Sequence, residues 1–202
     1  MKSLNQLILE IEPMILDLMN SDIQEFYIKR PKDFAKYLVT WKLYLKKAYN
    51  RYCLLGFKDF QGKKFLDIST GIGFFPYICS EQNTVACTEI AGNFEEWPLS
   101  VYQQMHKKLN LSCSYFRINP YELLPIKGQF DVITSFDICW HKIKSNMPRY
   151  WEIEEYEFLF QDLISHLTPV GVVYLKFFNS NVVKLIKQKV NPKYLTRITV
   201  GI

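Results

Sequence analysis

Asp67, Glu89, Asp137 and His141 are the side chains whose placement suggests chemistry, because each stands at or just beyond the end of an apolar run. Phe65-Leu66-Asp67-Ile68 leads into Ser69-Thr70-Gly71-Ile72-Gly73, a loop of small residues with two glycines at alternate positions. Glycine there permits positive φ and lets a ligand approach the main chain, which a β-carbon would block. Glu89 closes the run Asn83 to Thr88, where a carboxylate can accept hydrogen bonds from both hydroxyls of a ribose. His141 carries an imidazole suited to taking a proton near neutral pH, with Asp137 as a second acid/base candidate close by.

The elements that must hold these groups follow from the apolar patterns. Residues 65–68 read as a first strand entered from Lys58 to Lys64, with Pro76 suited to the first turn of the helix that follows the glycine loop. A second strand ends at Glu89. Residues 95–109 then read as a crossover helix and 112–118 as a third strand, whereas Gln129 to Asp137 forms a buried fourth. A helix over 150–167 precedes a turn, Leu167-Thr168-Pro169-Val170-Gly171, into a fifth strand. Strands alternating with helical stretches imply a parallel sheet with right-handed crossovers and helices on both faces.

In these four landmarks, Asp67 to Gly73, Glu89, Phe130 to Asp137 and Leu167 to Leu175, the sequence resembles the class I S-adenosylmethionine-dependent methyltransferases over Lys64 to Asn179. Two departures stand out: Ser69 occupies a place where the family commonly has glycine, and Pro169-Val170-Gly171 replaces the usual Pro-Gly-Gly. The resemblance implies an α/β, Rossmann-like, mostly parallel sheet that binds S-adenosylmethionine. The implied cofactor residues are Asp67, Ser69, Thr70, Gly71, Gly73, Glu89, Ile90, Asn119 and Ser135, with Asp137 and His141 facing the acceptor. Asn119-Pro120-Tyr121 is reminiscent of the Asn-Pro-Pro-Tyr signature of amino-group methyltransferases, but it ends the third strand and lacks one proline. By position, Asn119 suits hydrogen bonding to the adenine edge; a turn residue before proline is the alternative.

The implied reaction is methyl transfer to a small-molecule acceptor, a hydroxyl being the leading choice. An RNA or protein methyltransferase and a noncatalytic S-adenosylmethionine-binding module are the rivals. A dinucleotide-binding oxidoreductase would place a third glycine where Pro76 stands.

Upstream, Leu4, Leu7, Ile8, Ile11, Ile15 and Leu18 recur at helical spacing around Pro13. A long helix is expected from Phe34 to Tyr52, with one aromatic face and a Lys36, Lys42, Lys46, Lys47, Arg51 face read as solvated. Tyr37, Trp41 and Tyr44 are candidates to line a substrate pocket under the resemblance. The domain reading is an amino-terminal helical cap over 1–56 and a cofactor-binding core over 57–202. With 202 residues, 49% hydrophobic, the chain can bury one sizeable core.

A net charge of +5 from 25 basic and 20 acidic residues falls short of a dedicated nucleic-acid binder. Five scattered cysteines without a Cys-x-x-Cys pair argue against zinc and for buried free thiols in a reducing cytoplasm. Glu10, Glu12 and Asp17 interrupt the amino-terminal apolar pattern, so no membrane insertion is expected. After Asn179 only one further strand is expected. This leaves a sheet edge able to pair with a second copy or a partner chain.

Overall fold

The computed structural model describes residues 1–20, 24–29, 31–90, 99–138, 142–143 and 149–201. The chain opens with α1 (Leu4–Asn20), α2 (Gln24–Lys29), α3 (Pro31–Phe34), a π-helical turn (Ala35–Val39) and α4 (Trp41–Leu54). The αβ part follows as β1 (Lys64–Ile68), α5 (Phe74–Cys79), β2 (Thr84–Ile90), α6 (Leu99–Lys108), β3 (Ser112–Phe116) and β4 (Phe130–Ile138). A short antiparallel ribbon, β5 (Lys142–Ile143) with β6 (Arg149–Tyr150), precedes α7 (Ile153–Ser165) and β7 (Leu167–Phe177). The last described elements are α8 (Ser180–Lys189), α9 (Pro192–Leu195) and β8 (Ile198–Gly201).

Six strands form one sheet in the order β3-β2-β1-β4-β7-β8, and every pairing in it is parallel. This is the Rossmann-like architecture expected from the alternating strands and helices. The strand order reverses between β1 and β4, and in open α/β sheets the ligand crevice lies beyond the carboxyl ends of strands at such a switch point. Among the described candidates, Asp67, Glu89 and Asp137 lie at or next to the carboxyl ends of β1, β2 and β4.

Strand alternation divides the core into two layers. On one face Phe65 and Val132 pack with the apolar stripes of α1 (Leu7, Ile11, Ile15, Leu18) and α4 (Trp41, Leu45, Ala48, Tyr52). The amino-terminal helices therefore share a core with the sheet. Phe57 anchors this layer, its ring 5.1 to 6.0 Å from those of Tyr174, Phe65 and Phe75. On the other face Leu66, Ile133 and Val173 pack with Tyr156, Leu159 and Phe160 of α7 and Val182 and Ile186 of α8.

Two expectations need correction. The helix expected over Phe34 to Tyr52 is divided by the π-helical turn. Thr40 ends that turn by bonding back to the Ala35 carbonyl through both its amide, at 2.8 Å, and its hydroxyl, at 2.9 Å. A side chain that satisfies a carbonyl locally competes with the helical ladder. The expected turn at Leu167 to Gly171 is absorbed into β7 as a register irregularity between Phe130/Leu167 and Val132/Val172. Gly171 is required there, since a β-carbon would lie 2.7 Å from the Phe130 carbonyl oxygen. Arg197, entering β8, clasps the same irregularity by donating to the Gly171 carbonyl at 2.9 and 3.1 Å.

Candidate functional site

The β1 loop is held by its own hydrogen bonds. Its first amide, Thr70 N–H, donates to the Thr88 carbonyl on β2 at 3.0 Å, and Gly73 N–H donates to the Thr70 carbonyl at 3.2 Å. Gly71 N–H donates to Glu89 Oε2 at 2.5 Å, so the acid at the end of β2 clamps the loop directly. Gly71 and Gly73 take φ of 60° and 95°, and Ser69 takes 63°. Position 69 thus holds a left-handed backbone although its residue is serine. A β-carbon on Gly71 would meet Tyr37 Oη at 2.6 Å, and one on Gly73 would meet Leu111 Cδ1 at 2.7 Å. The π-helical turn therefore lays Tyr37 over the loop, whereas Trp41 is core.

Asp67 is buried at the end of β1, opposite Thr134 of β4, whose hydroxyl donates to its Oδ1 at 2.5 Å. Burial pushes its carboxyl up to about 6, against the hydroxyls of Thr134 and Thr70 and the Arg51 guanidinium, which favour the anion. Arg51 leans from α4 over the Phe136 ring at 4.2 Å and reaches Asp137 with a single Nη2 to Oδ2 contact of 3.3 Å. Asp137 sits at the register irregularity ending β4, at φ 56°, and is exposed. At the β1/β4 switch point Arg51 thus contacts the exposed Asp137 and favours the anion of the buried Asp67.

His106 of α6 supports the loop from beneath. It is buried, with Nε2 2.7 Å from the Gly71 carbonyl oxygen and Nδ1 2.7 Å from Tyr115 Oη. Since a carbonyl only accepts, Nε2 carries a proton. Burial works against the imidazolium, but Cys113, the Gly71 carbonyl and Glu89 outweigh it and raise the pKa.

The remaining candidates are placed as follows. Ser135 lies on the opposite sheet face from Asp67, its hydroxyl donating to the Ile68 carbonyl at 2.9 Å. Asn119 follows β3 and its amide donates to Glu122 at 2.8 Å. Ile90 ends β2, paired with Phe116. His141 lies outside the described residues. Arg51, Thr134 and Tyr37 join the site; the first was read as part of a solvated lysine face because helical periodicity alone does not show what lies beyond the end of a helix.

No family profile matches the sequence, and no curated protein does. Several solved structures are similar to it. Ribosomal protein L11 methylase from Lactobacillus delbrueckii subsp. bulgaricus is 17% identical, with TM-score 0.44, over 68% of this chain and 65% of that one. A calicheamicin-pathway amino pentose methyltransferase from Micromonospora echinaspora, bound to S-adenosylmethionine, is 14% identical, with TM-score 0.46, over 66% and 50%. Coclaurine N-methyltransferase, bound to N-methylheliamine and S-adenosylhomocysteine, is 12% identical, with TM-score 0.46, over 87% and 51%. The chain spans between half and 65% of the length of these proteins.

Proposed function

We propose that the chain binds S-adenosylmethionine beyond the carboxyl ends of β1, β2 and β4 and transfers its methyl group to a small-molecule acceptor. The observation that carries this reading is the use of the loop amides. Thr70, Gly71 and Gly73 spend their N–H groups on Thr88, Glu89 and Thr70, which removes them from the kind of cradle a pyrophosphate requires. Carboxylates remain at the strand ends instead. This arrangement favours a nucleoside ligand without phosphates over a dinucleotide, and Pro76 at the place of a third glycine points the same way.

The residues fit that ligand. Glu89 is placed for ribose hydroxyls and Asp67 for an ammonium group, while Arg51 offers a guanidinium to a carboxylate. The buried Ser69 Oγ and Thr88 Oγ1 have no hydrogen-bond partner within the protein, which is the condition of groups awaiting a ligand or water. When bound, the cofactor supplies an electrophilic methyl on a sulfonium, so the protein's task is alignment and exclusion of water. Asn119 lies at the β3 end, on the side assigned to adenine. For a hydroxyl acceptor, His141 or Asp137 takes the proton; Asp137 must first leave Arg51.

Calorimetric titration with S-adenosylmethionine, S-adenosylhomocysteine and NAD tests the reading. Saturable binding of the two adenosyl-sulfur ligands, lost in Asp67→Ala and Glu89→Ala, is the expected result. NAD binding alone, or no binding by folded protein, overturns it. An acceptor panel of alcohols, amines, RNA and protein then decides the acceptor class.

A further inference from the structure

Beneath the loop lies a group of side chains that methyl transfer leaves unused. Cys87 of β2 and Cys113 of β3 are direct register partners on adjacent parallel strands. Both side chains therefore point to the same sheet face, the one that also carries Asp67. Neighbouring strands run about 4.8 Å apart, which falls inside the Cα separation of about 4.4 to 6.8 Å that a disulfide spans. In the reduced structure each thiol donates to a carbonyl, Cys87 Sγ to Ser112 at 3.5 Å and Cys113 Sγ to Ser114 at 3.8 Å, and Tyr115, two residues along β3 from Cys113, shares its sheet face and holds His106. Cys87 is buried and Cys113 is partly exposed.

We propose that Cys87 and Cys113 form a dithiol site that reacts with low-molecular-weight disulfides, Cys113 attacking first and Cys87 resolving. The Cys113 thiolate attacks one sulfur of the small disulfide, forming a mixed disulfide and expelling one thiolate, which takes up a proton. Cys87 then loses its proton and attacks the Cys113 sulfur, closing the Cys87–Cys113 bond and releasing the second half as thiol. Two protein thiols are oxidised and one small disulfide is reduced to two thiols.

Exposure sets this order, since only Cys113 is within reach of solvent. Chemistry agrees with it. The Cys87 thiol, and then His106 and Tyr115, hold the Cys113 pKa below its ordinary value against burial, while Cys87 is raised correspondingly. Cys79 makes the contrast: it is fully buried, and burial pushes its thiol up. Oxidation removes the Cys113 charge that favours the His106 imidazolium, and His106 sits 2.7 Å from the Gly71 carbonyl of the loop.

Intact-mass and peptide mapping of the folded protein treated with glutathione disulfide supply the test, with circular dichroism confirming that each variant folds. The native protein is expected to lose two hydrogens and show a Cys87–Cys113 linked peptide. Cys87→Ser should instead trap a glutathione adduct on Cys113, and Cys113→Ser should give neither product at this site. In the untreated native protein, iodoacetamide should label Cys113 about fivefold faster than Cys53 near pH 6.5. A stable adduct on native Cys113 without ring closure, or labelling of Cys113 no faster than of Cys53, overturns the proposal. None of these readouts depends on cofactor binding.

Discussion

Replacing Asp67 by asparagine tests whether the site is as dry as its geometry implies. The carboxyl titrates near 3.8 when free and is raised to about 6 by complete burial in the fold. Below about pH 4 both folded and unfolded chains hold the proton, and Asp67 contributes no penalty. Between about pH 4 and 6 the unfolded chain releases it while the folded chain keeps it, so stability falls as pH rises. Above about pH 6 the penalty is complete at about 3 kcal/mol, from about two pKa units at 1.36 kcal/mol each. Asparagine removes this dependence. It retains the Thr134 hydroxyl as donor to its carbonyl, but its amide N–H groups gain no assured acceptor, which costs about 1 to 2 kcal/mol. Asp67→Asn is therefore expected to be about 1 kcal/mol more stable than native near pH 8 and less stable near pH 4. Urea unfolding across that range measures the swing between the two, about 3 kcal/mol. A swing under about 0.5 kcal/mol means that water reaches the carboxylate, and it refutes the reasoning. The same variant should bind S-adenosylhomocysteine at least tenfold more weakly if Asp67 holds the ligand's ammonium.

Four further outcomes are expected. Ser69→Gly should raise the thermal midpoint, because it relieves a left-handed serine costing about 1 kcal/mol and removes an unpartnered buried hydroxyl, while weakening ligand affinity in calorimetry if that hydroxyl contacts the cofactor. Gly73→Ala should destabilise by about 2 kcal/mol or more in urea unfolding, since the β-carbon meets Leu111 and His106 at 2.7 and 3.0 Å on a backbone at φ 95°. Arg51→Met should weaken binding of S-adenosylhomocysteine by about tenfold yet leave 5′-methylthioadenosine, which lacks the amino-acid carboxylate, unchanged; equal losses for both would remove Arg51 from that role. Phe57→Ala should lower unfolding free energy by about 3 to 5 kcal/mol, as expected for emptying the centre of the aromatic layer.

The sheet was legible because its strands are short apolar runs ended by glycine, acid or proline, and those signals are local. Phe65 to Ile68, Thr84 to Ile90 and Phe130 to Ile138 all appear close to where their patterns place them. What escaped was set by individual side-chain contacts, one of them local and the others between distant segments. Thr40 turns a continuous apolar helical pattern into a π-helical turn through one hydroxyl and one amide, which leaves no trace in periodicity. Arg51 sits among lysines of the same charge, and only the end of β4 explains why it folds inward. His106 reads as an ordinary helix residue because its partners, Gly71 and Tyr115, lie on other elements. The hydroxyl of Ser135, a residue that the resemblance implies at the cofactor, donates to the Ile68 carbonyl on the sheet face opposite Asp67, a direction that only the strand register gives.

One loop gathers several conformations and burials that each work against stability. Ser69 holds a left-handed backbone, its hydroxyl and that of Thr88 are buried without partners, and Asp67 is buried to the point that its proton is retained to about pH 6. Folding alone gives no reason to keep them together, since glycine, alanine and asparagine would relieve each one separately. Their common location explains them better. All three belong to the β1 loop or to the strand residues it touches, at the place where the strand order reverses and ligands enter open α/β sheets. Strained backbone and perturbed ionisation concentrate where a protein is shaped for something other than its own packing. A ligand bearing an ammonium, hydroxyls and a carboxylate would satisfy the buried polar groups on binding and turn these local costs into affinity.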